Sequence, residues 1–251
     1  MTTFHVVIPA RYGSTRLPAK PLALVDGLPM VVQTAHSVAQ ANPASLVVAT
    51  DDQRIVDVVE SAGFRACMTR ADHPSGSDRV LEVVDLLGLH VDDIVINVQG
   101  DEPLMPSQVL QQLANALANS EVGVATLCER IQSRAEVFNP NVVKVVRDQE
   151  GHALYFSRAP IPWARTEFAL DSAQLPPAPG YWRHIGVYAY RVSALRQFVS
   201  LPPSRLEQVE ALEQLRLLEN RRSILVLDSA VSVPGGVDTP EDLLRINNRA
   251  R

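Results

Sequence analysis

From Val6 to Asn119 the chain alternates short β-branched runs with segments of helical period, and that alternation restricts the fold more than any other property of the sequence. Val6-Val7-Ile8 has the shape of a buried strand and stops at Pro9. Met30 to Ala41 has helical spacing, Leu46 to Ala49 is strand-like, Ile55 to Ala62 is helical up to Gly63, and Arg65 to Thr69 is a further strand. Ser77 and Asp78 offer N-cap chemistry for a helix from Arg79 to Leu87 closed by Gly88. Asp93 to Val98 is the strongest central strand, and Pro106 opens a helix through Asn119. This βαβαβ order predicts an α/β fold with a mostly parallel, doubly wound, Rossmann-like sheet, helices on both faces and right-handed crossovers. Ligands of such a sheet sit at the carboxyl ends of its strands.

The rhythm changes after a strand expected at Val122 to Leu127. Asn141 to Arg147 and Ala153 to Ser157, separated by Asp148-Gln149-Glu150-Gly151, read as a β-hairpin, and a Pro-rich irregular stretch follows to about Arg183. Ile185 to Tyr190 resumes the sheet, Leu206 to Glu219 reads as one long amphipathic helix, Ile224 to Leu227 as a strand and Pro240 to Asn248 as a closing helix. One domain over residues 1–251, carrying a smaller lobe inserted at about 131–190, is expected. The lobe's alternating, aromatic-containing strands suit a second subunit or packing on their own domain.

The loop after the first strand carries Arg11, Arg16 and Lys20 with Gly13, Ser14 and Thr15 among them, and no acid precedes Asp26. Uncompensated cations on a Gly/Ser/Thr loop suit a polyphosphate, because guanidinium groups chelate phosphate oxygens and the backbone approaches closely at glycine. The loop is neither a Walker A motif nor a dinucleotide fingerprint: Lys20 follows an alanine and one glycine is present. The absence of that fingerprint disfavours a nicotinamide-dependent dehydrogenase. A net charge of −5 with 46% hydrophobic and 20% charged residues argues against disorder and against nucleic acid as a partner. Cys67 and Cys128 make no C-x-x-C and read as small core residues. The N-terminus runs into the first strand without a leader pattern, and no apolar run has membrane length, so a cytoplasmic protein that does not engage a membrane is expected.

Asp101 follows Gly100 where the strongest strand ends, the place where nucleotide-binding sheets put a metal ligand; the alternative is a helix-capping acid ahead of Pro106. Glu102 beside it is expected to be solvated. Asp238 in Val237-Asp238-Thr239-Pro240 reads first as the N-cap of the closing helix. If both acids reach the same sheet edge, they form a hard oxygen site for Mg²⁺ facing the cations of the opening loop, as a metal–triphosphate requires. His184 and Tyr188 are weaker candidates for substrate contact, and Ser75-Gly76-Ser77-Asp78-Arg79 is a helix start able to present N–H groups and a guanidinium. Glu207, Glu210, Glu213 and Gln214 are expected mostly on a solvated helix face.

With these residues assembled, the chain resembles the 3-deoxy-manno-octulosonate (Kdo) cytidylyltransferases, the CMP-Kdo synthetases. The resemblance rests on Ile8 to Pro18 with Lys20-Pro21-Leu22, Ala49-Thr50-Asp51, Met68 to His73, Asn97 to Pro103 and Phe138 to Asn141. It continues through Tyr155 to Ala159, Leu212 to Arg216 and Gly236 to Asp242, in order along nearly the whole chain. It implies a nucleotidyltransferase sheet with a dimerising lobe, hence a homodimer, and transfer of CMP from CTP to the anomeric hydroxyl of Kdo with Mg²⁺, releasing pyrophosphate for lipopolysaccharide synthesis. It further implies Arg11, Ser14, Arg16 and Lys20 around the triphosphate, with Ser75, Gly76 and Arg79 near cytosine and ribose. By the same resemblance Asp101 and Asp238 hold Mg²⁺, Lys20, Arg16 and both acids are catalytic, and Gln99, Arg158, His184, Tyr188, Glu210 and Gln214 surround the sugar acid. Two motifs depart from the family pattern: Ala19 stands where glycine is usual, and Ser77-Asp78 where Thr-Glu is. The rivals are a cytidylyltransferase for 8-amino-Kdo or sialic acid and a nucleotide-sensing module without turnover.

Overall fold

The computed structural model describes residues 2–13, 17–169, 175 and 180–249. The elements run β1 (His5–Ala10), β2 (Leu24–Val25), β3 (Leu28–Pro29), α1 (Met30–Ala39), β4 (Ser45–Thr50), α2 (Gln53–Ser61), β5 (Arg65–Met68), α3 (Gly76–Leu87), β6 (Ile94–Asn97), α4 (Ser107–Ala118) and β7 (Val124–Arg130). There follow α5 (Arg134–Phe138), β8 (Lys144–Arg147), β9 (Ala153–Ser157), β10 (Trp182–Arg191), α6 (Val192–Ser200), α7 (Arg205–Glu210), α8 (Leu215–Glu219), β11 (Leu225–Asp228) and α9 (Pro240–Asn247).

The central sheet has the order β11-β7-β10-β6-β1-β4-β5, with β8 and β9 attached beside β10. Along that seven-strand path it is parallel except at β10, which runs antiparallel to both neighbours, and the attached β8 and β9 also pair antiparallel, β8 with β10 and β9 with β8. Alternation along the strands feeds two cores. Val6, Ile8, Val48 and Ile96 face Val31, Ala35 and Leu113 of α1 and α4, whereas Val7, Val47, Val95 and Tyr190 face Val80, Val84 and Leu195 of α3 and α6. A third cluster, Ile131, Val137, Phe168 and Tyr181, holds the inserted segment together.

Several expectations need correction. The cap of α3 is Ser75, whose Oγ accepts from the N–H groups of Ser77 and Asp78, so the helix starts three residues before Arg79. The cap of α9 is Thr239, closed reciprocally by Asp242, and not Asp238. The helix expected over 206–219 is two: Ala211 adopts φ 53°, a left-handed conformation that ends α7 and turns the chain before α8. Strand β10 begins at Trp182, so the inserted segment closes before it and not at residue 190. The helices α5 and α6 answer to no sequence expectation.

Candidate active site

Two strand ends, two glycines and the loop before α9 bring the acids to the cations. Beyond β6 the chain continues alongside β1 through hydrogen bonds from Val98 N to Val7 O (3.2 Å) and from Gly100 N to Pro9 O (3.3 Å). A side chain at Gly100 would place its Cβ 3.0 Å from Pro9 O, so this approach needs glycine. Gly236 plays the same part for the late acid: a Cβ there would lie 3.0 Å from Asp101 O, and Val237 N donates to Asp101 O at 2.9 Å. Asp101 and Asp238 are thereby neighbours although 137 residues separate them in the chain (238 less 101).

The Lys20 ammonium lies between them. It donates to Asp101 and, at 2.8 Å, to Asp238 Oδ1. Burial alone would lower its pKa, but the two carboxylates outweigh burial and hold it above the ordinary lysine value. Ala19, just before, has φ 53°, a left-handed conformation that the glycine expected there from the resemblance would adopt without strain. These groups line a cleft of about 250 Å³ together with Arg11, Gln99 and Gly100. Ser14 and Arg16 lie outside the described residues. Glu102 is half-buried, not solvated as expected; burial pushes its carboxyl up to about 8, with Asp101 adding to the rise and Arg183 opposing it.

The start of α3 abuts the cleft, since a Cβ at Gly76 would lie 3.6 Å from Pro9 Cγ and 3.9 Å from Gln99 Nε2. Ser75 donates to Asp78 Oδ2 at 2.7 Å as well as capping the helix. Arg79 is buried, donating to Thr69 and to Asp51 Oδ2 (3.0 Å), while Asp51 Oδ1 accepts from Tyr12 N (3.2 Å). Arg79 therefore steadies the loop after β1 through Asp51.

A polar chamber lies beside this cleft, under α3. Tyr188 of β10 is in register with Asn97 of β6, the His184 ring is 5.3 Å from the Tyr188 ring, and Tyr188 stacks on Tyr190 at 5.7 Å. Asn97 Oδ1, Tyr188 Oη and Gln214 Nε2 are buried without a hydrogen-bond partner among the described residues. Such orphans mark a place where a polar ligand completes the bonding. The acid of this chamber is Glu213, which accepts from Ser77 Oγ at 3.0 Å and whose pKa burial raises. Sequence reasoning assigned it to a solvated face because the turn at Ala211 was not foreseen. Glu210, placed near the sugar acid by the resemblance, accepts from Ser157 Oγ (2.5 Å) and Arg158 N (2.9 Å). The Arg158 guanidinium donates to Glu210 O (2.7 Å), Pro140 O (3.0 Å) and Ala211 O (3.4 Å). In this structure both fasten the lobe to the α7–α8 corner.

His184 lies edge-on to Phe156 with Nε2 3.1 Å from Thr126 Oγ1, and burial pushes its pKa from 6.5 down to about 3. The imidazole is therefore neutral at physiological pH. Between pH 6.5 and 3 the unfolded chain binds a proton that the folded chain refuses, so stability falls as pH drops through that window. The slope approaches ~1.4 kcal/mol per pH unit, and nothing changes above the window. His184→Gln removes this contribution: urea unfolding of the two proteins from pH 8 down to 4 should give a constant difference above about 7 and a shift against the wild type below it.

Comparison with known proteins shows the family. Residues 5–224 match the family described as Cytidylyltransferase. The 3-deoxy-manno-octulosonate cytidylyltransferase of Hahella chejuensis is 52% identical over 247 residues, covering 98% of this chain and 97% of the relative. That of Alcanivorax borkumensis is 52% identical over 245 residues, covering 97% of each. A solved structure of CMP:2-keto-3-deoxy-manno-octonic acid synthetase complexed with CTP superposes with a TM-score of 0.87 at 41% identity, covering 98% of both chains. With a family match over most of its length and relatives this similar from end to end, the chain belongs to the 3-deoxy-manno-octulosonate cytidylyltransferases.

Proposed function

We propose that this chain transfers CMP from CTP to the anomeric hydroxyl of Kdo, giving CMP-Kdo and pyrophosphate for lipopolysaccharide synthesis. The observation that carries the proposal is the convergence of Lys20 with Asp101 and Asp238 at the carboxyl end of a parallel sheet, beside Arg11. In this reading Arg11 and Lys20, with Ser14 and Arg16, take the triphosphate, and the start of α3 at Ser75 and Gly76 borders the nucleoside. The sugar acid meets Gln99 and the chamber of His184, Tyr188, Gln214 and Glu213, where the buried orphan atoms are.

Asp101 and Asp238 would hold Mg²⁺. Both carboxylates already converge on one cation, the Lys20 ammonium, and hard oxygens suit this metal. When bound, Mg²⁺ lowers the pKa of a ligated hydroxyl and neutralises phosphate charge. The chain's own residues do the rest by placement: Arg11 and Lys20 balance the charge of the departing pyrophosphate, and Gln99, which lines the cleft beside the start of α3, helps bring the acceptor hydroxyl in line with the α-phosphorus. A direct displacement needs no covalent enzyme intermediate, since pyrophosphate is already a good leaving group.

Among the described residues no helix is long and apolar enough to cross a membrane. The reading extends to a cytoplasmic homodimer formed through the lobe, where Phe138 and Trp163 are 40% and 60% exposed. The decisive test of activity is a panel of sugar acids with CTP and Mg²⁺, read as pyrophosphate. Release with Kdo and little with sialic acid is expected, and 8-amino-Kdo is included because one amine-for-hydroxyl change alters few contacts. No sugar-dependent release from CTP would leave a nucleotide-binding module and overturn the proposal.

A further inference from the structure

Lys20 makes its ion pairs with the two acids to which the proposed function gives Mg²⁺. Its Nζ donates to Asp101 Oδ2 and, at 2.8 Å, to Asp238 Oδ1, so one oxygen of each carboxylate is engaged by a cation of the chain itself. The ammonium reaches them from the protein side: the Lys20 side chain is 14% exposed, against 29% and 48% for the acids. A divalent ion that took the same oxygens would lie beside a positive charge that little water screens, and the two would repel. The pair is favourable for either cation alone and unfavourable for both together.

The residue type points the same way. Of the 23 basic residues in the chain, two are lysines, Lys20 and Lys144. Every other ion pair among the described residues uses an arginine or a histidine. An arginine would grip a carboxylate through two N–H groups in a fixed plane, as Arg54 grips Asp52 and Arg216 grips Glu207. An ammonium on a four-carbon stem makes point contacts and can swing between partners. The main chain beneath it need not follow, because Leu22 N donates to Ala19 O (2.8 Å), Ala23 N donates to Lys20 O (3.1 Å) and Pro21 is buried. Arg11 lines the same cleft as Lys20, so a triphosphate held by Arg11 offers the ammonium a second anion within its reach.

We propose that Lys20 competes with the divalent ion for Asp101 and Asp238, and that the triphosphate of the nucleotide relieves the competition by drawing the ammonium to itself. The inference rests on the function proposed above. Its consequence is an order of events: the acid pair is a poor metal site until nucleotide phosphates lie in the cleft, and a good one afterwards. By linkage, nucleotide and metal then strengthen one another beyond whatever bonds they make directly, with the lysine side chain as the two-position element that both of them bias. Lys20 thus acts twice, first as a stand-in that keeps two like charges together and then as a phosphate ligand.

The test compares the wild type with Lys20→Met in the absence of nucleotide, with Mn²⁺ as the probe and the free ion read by electron paramagnetic resonance. Lys20→Met should bind Mn²⁺ about tenfold more tightly than the wild type or better, and adding Asp101→Asn should abolish the gain. An affinity equal to or weaker than that of the wild type overturns the proposal, because the ammonium would then either leave the metal's oxygens alone or help to organise them. Should Lys20→Met not fold, Lys20→Gln, which keeps a donor without the charge, is measured against the same criteria. The wild type supplies an independent readout. Labelled with ¹³C at lysine Cε, it gives two signals, one from Lys20 and one from Lys144, whose ammonium is held by three main-chain carbonyls. CTP added with EDTA should shift the Lys20 signal and leave that of Lys144, and cytidine, which carries no phosphate, should shift neither. A Lys20 signal that saturating CTP does not move also overturns the proposal. A wild-type protein that releases no pyrophosphate with any sugar acid refutes the activity itself, whereas an active wild type whose Mn²⁺ affinity is not raised by Lys20→Met refutes only the competition.

Discussion

Asp101→Asn should lower kcat by on the order of a thousandfold or more while leaving the fold intact. The side chain is 29% exposed and packs in no core, and the backbone oxygen that Val237 N uses is untouched by the change. What disappears is one of the two negative charges that Lys20 bridges and that would receive the metal. An asparagine offers a neutral oxygen in place of an anionic one and an amide that cannot accept, so both the ammonium and the metal lose a partner in the same place. Circular dichroism and thermal unfolding should match the wild type, and CTP should still bind through the loop cations with reduced affinity. Activity near wild type at saturating Mg²⁺, CTP and Kdo would remove Asp101 from the reaction.

Glu207→Leu is expected to destabilise the protein by about 3–5 kcal/mol, measured by urea unfolding. Arg216 donates to Glu207 through Nε (2.8 Å) and Nη2, both residues are under 10% exposed, and the guanidinium sits 5.0 Å from the Phe198 ring centre. Deleting the acid strands a buried cation that keeps, besides the Phe198 ring, a hydrogen bond to Leu201 O at 3.3 Å. It also opens the capping box, because Ser204 N donates to Glu207 Oε2 at 2.9 Å. Glu207→Gln, which keeps the hydrogen-bonding shape, should cost less. Adding Arg216→Met to Glu207→Leu should recover most of the loss, since two apolar groups replace the pair; a double variant no better than the single would show that the cap, and not the stranded charge, dominates. The pair ties α7 to α8 across the turn at Ala211, so the single variant should also raise the KM for Kdo by loosening Glu213 and Gln214.

The first half of the fold is legible in the sequence because its signals are local: β-branched runs, helical spacing and glycine closures each report their own segment. The position of β10 is legible from its composition, but its direction is not, since direction depends on how the lobe returns and no residue encodes that alone. The corner at Ala211 is hidden for a different reason. Alanine is the strongest helix former, and only the packing of Glu207 on Arg216 and Leu212 and Leu215 on the sheet makes the left-handed turn worthwhile. At the site, residue types at strand ends suffice to bring Lys20, Asp101 and Asp238 together in expectation. Arg79 shows the limit: a guanidinium in a loop-to-helix motif looks ready for a ligand, and only the structure shows Asp51 and Thr69 already holding it.

The single reversed strand also bears on how acceptor preference can change over evolutionary time or in the laboratory. Because β7 and β10 are antiparallel and Arg130 is in register with Trp182, everything between them leaves and re-enters the sheet at one edge, two adjacent positions apart. That edge is the one where β6 hands over to Asp101. A segment so attached can be lengthened, shortened or exchanged without threading a crossover or shifting any parallel strand. Grafting the 131–181 segment of a relative with another sugar preference onto this scaffold thus needs two backbone junctions, with the bonds of Arg147, Gly151 and Ala153 to Ile224 and Val226 and of Arg158 to the α7–α8 corner kept. The cation loop and the paired acids would stay as they are, so that one half of the reaction is inherited intact while the other is open to replacement.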